Sequence, residues 1–317
     1  MNNILIIDSP QTPYIDNLSI EQEIFQSNYL NLKQGIQSCS AMELMHAEVV
    51  VVFYGNTLNA QHIQQMLNCR GIVVATTGYN HVDVNSASKV GIPVCNLINP
   101  TYEDVADHTM LLILASIRKL KTILKSIENK KWNWQEAYGI KRLKDQTLGL
   151  IGYGNIGQAV ALRAASFGFN IIAYDPFYSD TGVTKVSTLQ ELLINSDIVS
   201  LHCPLTSSTY HLLDKDTLEL CRTGVVIVNT ARGGLINQGV AIQLLKTGKI
   251  GALGFDVLED ETQIPQELIE NAAVILTPHM AFYSTYSHKA FRIAAAQAAM
   301  NFLAQQGSLN NIISDIK

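Results

Sequence analysis

The sequence predicts an α/β protein made of two doubly wound parallel-sheet domains. Three observations predict it. Short apolar runs without polar alternation recur through both halves, as strands covered on both faces require. Longer amphipathic stretches separate them, which is the strand–helix rhythm of parallel sheets. The 317 residues are enough to bury two ordinary cores.

Taken in order, the first half offers ILIID (4–8), VVVF (50–53), GIVVAT (71–76) and IPVCN (92–96). At NLINPTYED (96–104), Asn99 and Pro100 break the pattern, and the join between the units is expected there. A helix then begins around Thr101, with Glu103 and Asp104 favouring its positive end, and runs through VADHTMLLILASIRKL. The second half offers LGLIG (148–152), NIIAYD (170–175), DIVSLH (197–202), GVVIVNT (224–230), ALGFDV (252–257) and AVILT (273–277). No internal repeat has solenoid spacing.

Composition excludes several function classes. Net charge is −5 with no long basic run, so nucleic acid is not an expected partner. MNNILIIDSP carries no Lys or Arg, and Asp8 follows a short apolar run, unlike a signal peptide. MLLILASI (110–117), bounded by Asp107 and Arg118, falls short of the ~20 apolar residues that cross a bilayer. Cys39, Cys69, Cys95, Cys203 and Cys221 are scattered without a CxxC pair, as buried reduced thiols would be. The expectation is a cytoplasmic protein with no membrane partner.

In GYGNIG (152–157) the glycines fall at the dinucleotide-binding spacing. Gly152 allows the tight turn, Gly154 lets the backbone approach a pyrophosphate, and Gly157 lets the following helix pack closely. The helix AVALRAASFGF presents its first N–H groups to the phosphates. GxGxxG alone is a weak signal, but here a strand precedes it and a helix follows. The next strand ends at Asp175, placed to accept hydrogen bonds from ribose hydroxyls. A carboxylate there repels a 2′-phosphate, which favours NAD over NADP. The plainer alternative is a glycine turn that binds nothing, with Asp175 an ordinary strand-end residue.

Three further strand-end side chains suit proton transfer and carboxylate binding. Arg232, in the loop NTARGG, can grip a carboxylate through two parallel hydrogen bonds. Glu261 lies in DVLEDE, past the strand ending at Asp256. His279 lies in LTPHMAFYS, on a turn stiffened by Pro278. A carboxylate beside a histidine orients the ring for acid–base work. Hydride addition to a carbonyl carbon needs a proton at the oxygen, and this trio supplies both proton and anchor. Each also fits a plainer role: a surface salt bridge for Arg232, a solvated acidic loop for Glu261, a half-buried histidine for His279.

Other signals are weaker. Glu103, Asp104, Asp107 and His108 read as an acidic helix start, not a metal cluster. Trp132 and Trp134 are expected to pack an exposed connection against a domain. Tyr54, Phe282 and Tyr283 fit an aromatic substrate pocket or ordinary core equally well.

The glycine turn with Asp175, LHCPLTSSTYHLL (201–213), VNTARGGLIN (228–237), GALGFDVLEDE (251–261) and LTPHMAFYS (276–284) together resemble the D-isomer-specific 2-hydroxyacid dehydrogenases. The resemblance runs from about Ile72 to about Gln306, nearest the branch of the C-terminal-binding-protein corepressors and their bacterial relatives; residues 1–70 carry little of it. It implies a Rossmann cofactor domain (100–286) inserted into a flavodoxin-like substrate domain (1–99 and 287–317), completed by HKAFRIAAAQAAMNFLAQ (288–305). The substrate would lie in a cleft that hinge closure shields from water. A homodimer through the apolar helix near 104–120 is implied as well.

Roles follow from the same resemblance. Arg232 matches the substrate-binding arginine, His279 the acid–base histidine and Glu261 its carboxylate partner. Asp256 matches the residue that holds the nicotinamide carboxamide, and Thr109 falls on the nicotinamide side. Asn155 and Ile156 join the glycines at the pyrophosphate. Pro176 follows Asp175, Cys203 and Pro204 fall near the adenine, and Thr230 and Ala231 flank the dinucleotide. His202 is assigned to packing or cofactor contact. The backbone at Thr76, Thr77 and Gly78 matches the loop that grips the substrate carboxylate.

There are departures. Val74 stands where the corepressor branch has arginine, Phe282 where it has tryptophan, and Thr262 where a proline usually follows the glutamate. The implied activity is NAD-dependent interconversion of 2-oxo and (R)-2-hydroxy acids. The rival is an NAD(H)-sensing binding protein. Oxidation of formate or phosphite ranks lower, since the formate enzymes of the family pair the histidine with glutamine.

Overall fold

The computed structural model describes residues 3–11, 13–26, 30–97, 101–178, 182–304 and 313. Its contacts divide the chain into two compact units, Met1–Pro100 with Ser284–Lys317, and Thr101–Tyr283. The expected join at Asn99 and Pro100 lies outside the described residues.

The first unit contains β1 (Ile4–Asp8), α1 (Ser19–Phe25), β2 (Asn31–Gln34), α2 (Ala41–His46), β3 (Val49–Val52), α3 (Ala60–Gln64), β4 (Gly71–Val74), α4 (Val84–Lys89) and β5 (Val94–Asn96). The strands form one parallel sheet in the order β2-β1-β3-β4-β5, the flavodoxin-like winding. β1, β3, β4 and β5 are buried along their whole length, because helices cover both faces of a parallel sheet. Helix starts are written locally: Ser40 and Glu43 close a capping box on α2.

The second unit opens with α5 (Tyr102–Ile117) and α6 (Leu120–Glu128). The helix expected to run unbroken to Leu120 stops at Ile117. Lys119 takes a left-handed φ of 53°, which turns the chain, and its Nζ donates to the Tyr138 carbonyl at 2.6 Å. Trp132 and Trp134 are 93% and 75% exposed and do not pack against the domain as expected. Then follow β6 (Thr147–Ile151), α7 (Asn155–Ser166), β7 (Asn170–Tyr174), β8 (Thr184–Lys185), α8 (Leu189–Asn195), β9 (Ile198–Leu201), α9 (Lys215–Leu220), β10 (Val225–Asn229), α10 (Gln238–Lys246), β11 (Ile250–Phe255), α11 (Gln266–Glu270) and β12 (Val274–Leu276). All seven strands are parallel, in the order β12-β11-β10-β9-β6-β7-β8, a Rossmann winding with one added strand. Among the described residues no helix is long and apolar enough to cross a membrane.

The chain returns to the first unit in α12 (Thr285–Ala304). Its Arg292 is 5% exposed and grips Glu21 of α1 in a bidentate pair, Nε to Oε1 at 2.9 Å and Nη2 to Oε2 at 2.7 Å. Glu21 is 3% exposed. Removing the guanidinium leaves that carboxylate buried without its partner. Arg292→Met is expected to lower stability by about 3–5 kcal/mol in urea unfolding, and Arg292→Met with Glu21→Leu to recover most of it. Equal midpoints for the wild type and the single variant would show the pair to be dispensable.

Candidate active site

One row across the seven-stranded sheet places the site. Tyr174, Ile151, Leu201, Asn229, Phe255 and Leu276 are register partners in succession from β7 to β12. Each is the last residue of its strand. The residues that follow are Asp175, Gly152, His202, Thr230, Asp256 and Thr277. The candidates therefore leave the sheet at one carboxyl edge, where open α/β sheets bind their ligands.

Gly152 has φ of 92°, and a Cβ on it would meet the His202 and Cys203 backbone at 2.7 and 2.8 Å. No other residue fits that turn without strain. A Cβ on Gly157 would meet the Gly152 carbonyl oxygen at 2.4 Å, so α7 packs hard against the turn. Gly154 differs: a Cβ there would meet no protein atom within 4 Å. It caps α7, whose first residues are Asn155 and Ile156, so the approach to the helix N-terminus is open. Asp175 accepts the Tyr153 N–H on Oδ2 and the Phe177 N–H on Oδ1, both at 2.8 Å. It anchors the glycine turn and keeps a lone-pair position on each oxygen, which suits two neighbouring ribose hydroxyls. These residues fit a dinucleotide.

The neighbouring loop is chemically quiet. His202 Nε2 lies 2.9 Å from Ser200 Oγ, and desolvation pushes the imidazole down to about 3. The ring is neutral and cannot serve as a proton donor at physiological pH. Burial, with the Asp175 charge adding, pushes the Cys203 thiol up to about 11. Pro204 and Pro176 are exposed.

After β10 a buried asparagine shapes the loop. Asn229 Oδ1 accepts the Ala231 N–H at 3.0 Å, and Nδ2 donates to the Arg232 carbonyl at 2.8 Å. Arg232 is held extended, with Nη1 donating to the Ala231 carbonyl at 2.6 Å. Thr109 of α5 donates its hydroxyl to the Val105 carbonyl at 2.7 Å, so the 2.8 Å bond between Thr109 and Thr230 takes its proton from Thr230.

After β11 and β12 a single carboxylate gathers the loop. Asp256 Oδ1 accepts the Thr277 hydroxyl at 2.6 Å and the Met280 N–H at 2.9 Å; Oδ2 accepts the Ala281 N–H at 2.9 Å. The Asp256 carbonyl accepts the His279 N–H at 2.8 Å. Inside this clasp His279 takes a left-handed φ of 52°, and its Nδ1 lies 2.9 and 3.0 Å from the two Glu261 oxygens. Thr277 spends its one hydrogen on Asp256, so the 2.9 Å bond from His108 must be donated by His108 Nε2.

The structure thus joins His279 to Glu261, and Thr109 to Thr230, across long stretches of sequence. Thr77 and Gly78 belong to the first unit. There the Thr76 hydroxyl donates to the Gly78 carbonyl at 2.7 Å and Asn96 Nδ2 to the Thr77 carbonyl at 2.6 Å, holding the loop after β4. Val74 is a buried strand residue. Sequence reasoning missed Asn229, His108 and Thr277 as parts of the site. A polar residue closing the apolar run VVIVN was the one available signal. Among the described residues no group of His, Cys, Asp or Glu is placed to hold a metal ion.

A doubly wound sheet with this turn, this acid and this row of loops defines a dinucleotide-dependent oxidoreductase. Residues 110–281 match the family model of the D-isomer-specific 2-hydroxyacid dehydrogenase NAD-binding domain. The chain is 38% identical over 237 residues to hydroxypyruvate reductase of Thermotoga maritima, spanning 74% of this chain and 77% of that protein. It is 29% identical over 263 residues to D-3-phosphoglycerate dehydrogenase of Bacillus subtilis, spanning 82% of this chain and 50% of that protein. Its fold matches the crystal structure of D-lactate dehydrogenase from Aquifex aeolicus complexed with NAD and lactic acid, with TM-score 0.89 and 27% identity over 98% of this chain and 99% of that one. The chain belongs to the D-isomer-specific 2-hydroxyacid dehydrogenase family, and it is an NAD-dependent enzyme of that family.

Two outcomes are expected. Gly154→Ala should fold with an unchanged melting temperature yet lose NADH binding in fluorescence titration, whereas Gly152→Ala should lose more than the ~1–2 kcal/mol of its positive φ alone, because its Cβ would press on the His202 and Cys203 backbone. His202 is neutral in both states above its unfolded pKa of roughly 6.5. Below that the unfolded chain binds a proton the folded chain refuses, so stability is lost as pH falls toward about 3. His202→Asn should flatten the fall in urea midpoint over that window; parallel slopes would contradict the assignment.

Proposed function

We propose that this protein reduces small 2-oxo acids to (R)-2-hydroxy acids with NADH, and runs the reverse oxidation with NAD. The observation that carries this reading is the His279–Glu261 pair, on the loops after β12 and β11, at the same carboxyl edge as the Arg232 loop after β10 and the glycine turn after β6. Bound NADH supplies the hydride for the C2 carbonyl carbon. His279 delivers the proton to the carbonyl oxygen from Nε2, since Nδ1 faces Glu261. Glu261 orients the ring. Arg232 holds the substrate carboxylate through two parallel hydrogen bonds and polarises the carbonyl. The resemblance also assigns the backbone at Thr77 and Gly78 to the substrate carboxylate.

Asn155 and Ile156, with Gly152, Gly154 and Gly157, present backbone to the pyrophosphate, and Asp175 takes the ribose hydroxyls. Pro176, His202, Cys203 and Pro204 line the adenine side. Thr230 and Ala231 would flank the dinucleotide, with Thr109, the residue assigned to the nicotinamide side, buried behind Thr230 and bonded to its hydroxyl. Asp256, which the resemblance assigns to the nicotinamide carboxamide, spends three lone pairs holding the His279 turn. Residues 100–286 serve as the cofactor domain, and 1–99 with 287–317 as the substrate domain. The resemblance extends this reading to a homodimer through the cofactor domain, working in the cytoplasm.

The relatives act on hydroxypyruvate and lactate by their names, so glyoxylate, pyruvate, hydroxypyruvate and branched 2-oxo acids form the test panel. On the best of these, His279→Ala is expected to lower kcat by on the order of 10²–10⁴ while the chain stays folded and binds NADH. Normal turnover in that variant removes the assigned acid. NADH binding by the wild type without turnover on any panel member would favour an NAD(H)-sensing protein instead.

A further inference from the structure

The segment that follows Pro204 takes no part in the chemistry above, yet it holds a strained histidine. His211 adopts φ of 50°, a conformation a non-glycine residue keeps only where its surroundings enforce it. Its N–H donates to the Gly234 carbonyl at 2.8 Å, and the Leu213 N–H donates to the Leu235 carbonyl at 3.0 Å. The segment therefore runs beside the loop that follows Arg232.

The turned side chain places Nε2 on a Glu259 oxygen, and Nδ1 stands 3.4 Å from Asn237 Nδ2. Asn237 Oδ1 already accepts the Val240 N–H at 3.1 Å, so its amide N–H faces the ring. His211 accepts at Nδ1 and donates from Nε2. Glu259 is engaged on its other side too. Its Oε2 accepts the Gln238 N–H at 3.0 Å, and its own N–H donates to Gln238 Oε1 at 3.3 Å. Gln238 is the first residue of α10, where a carboxylate also meets the positive helix end. Close by, a Cβ on Gly233 would lie 2.0 Å from the Leu258 carbonyl. The two loops touch at Gly233 and Leu258, and again at Gln238 and Glu259. Arg232 lies immediately before the first contact, and Glu261 two residues past the second.

We infer that His211 and Glu259 are positioning residues that clamp the Glu261 loop onto the Arg232 loop. They set where the proton donor stands relative to the bound carboxylate. This rests on the roles proposed above for Arg232, Glu261 and His279. The two side chains are 26% and 28% exposed, and ion pairs so close to solvent add little to global stability. The clamp acts on turnover, not on melting.

The experiment uses the full chain, NADH and the best 2-oxo acid of the panel. His211→Ala and Glu259→Ala are each expected to lower kcat roughly 10–100-fold, the cost of a small misplacement of reacting groups. The NADH dissociation constant and melting temperature should hold. The double variant should be no slower than the slower single variant, because one linkage is broken once. His211→Gln, which keeps a donor at the Nε2 position, should restore most of the rate. Wild-type kcat in both alanine variants overturns the clamp, as does a loss matched by equal loss of NADH affinity or folding. If the wild type turns over no 2-oxo acid, the functional reading falls, and hydrogen exchange still decides the clamp. Faster exchange of 232–238 and 257–261 in Glu259→Ala, with 152–157 unchanged, supports it; unchanged protection of those loops overturns it.

Discussion

The Asp256 carboxylate is withdrawn from solvent at the end of β11, and a carboxylate in that position persists only when its lone pairs are met. Here the donors are Thr277, Met280 and Ala281, all on the loop that carries His279. Burial and function are thereby joined. The chain must fold the loop back over the strand end to satisfy the acid, and doing so brings His279 to Glu261. The left-handed backbone at His279 is stabilised by the same clasp, since its N–H is held by the Asp256 carbonyl.

Helix α5 extends this constraint across the sheet. His108 and Thr109 are consecutive, so their side chains diverge by about 100° around the helix. One reaches Thr277 beside β12, and the other reaches Thr230 beside β10. The loops after the first and third of three adjacent strands are thus referred to one rigid helix. That arrangement fixes the loop that carries His279 relative to the loop that carries Arg232.

At the other end of the row, Asp175 does two things with one side chain. It pins the glycine turn through the Tyr153 N–H and shapes its own turn through the Phe177 N–H. The loop after β9 between these regions is kept free of competing chemistry. Its histidine is too desolvated to charge, and its thiol stays protonated. Neither group is placed to exchange a proton near neutral pH.

The covered strands were legible because complete burial demands unbroken apolar runs, and ILIID and VVIVN show it. The edge strands Asn31–Gln34 and Thr184–Lys185 were not, since half-exposed and exposed positions place no such demand. The stop of α5 at Ile117 was hidden too: no Gly or Pro marks it, and the break lies at a lysine, Lys119, in left-handed backbone. Within the site, the sequence by itself determined the glycine turn, the acid after β7 and the residue types able to move a proton. These are short-range matters of backbone freedom and strand-end placement. Tertiary structure alone decided that His279 meets Glu261 across 18 residues, and that His108 meets Thr277 across 169. Hydrogen bonds act over about 3 Å, and only the registered ends of adjacent strands bring such distant residues within that reach.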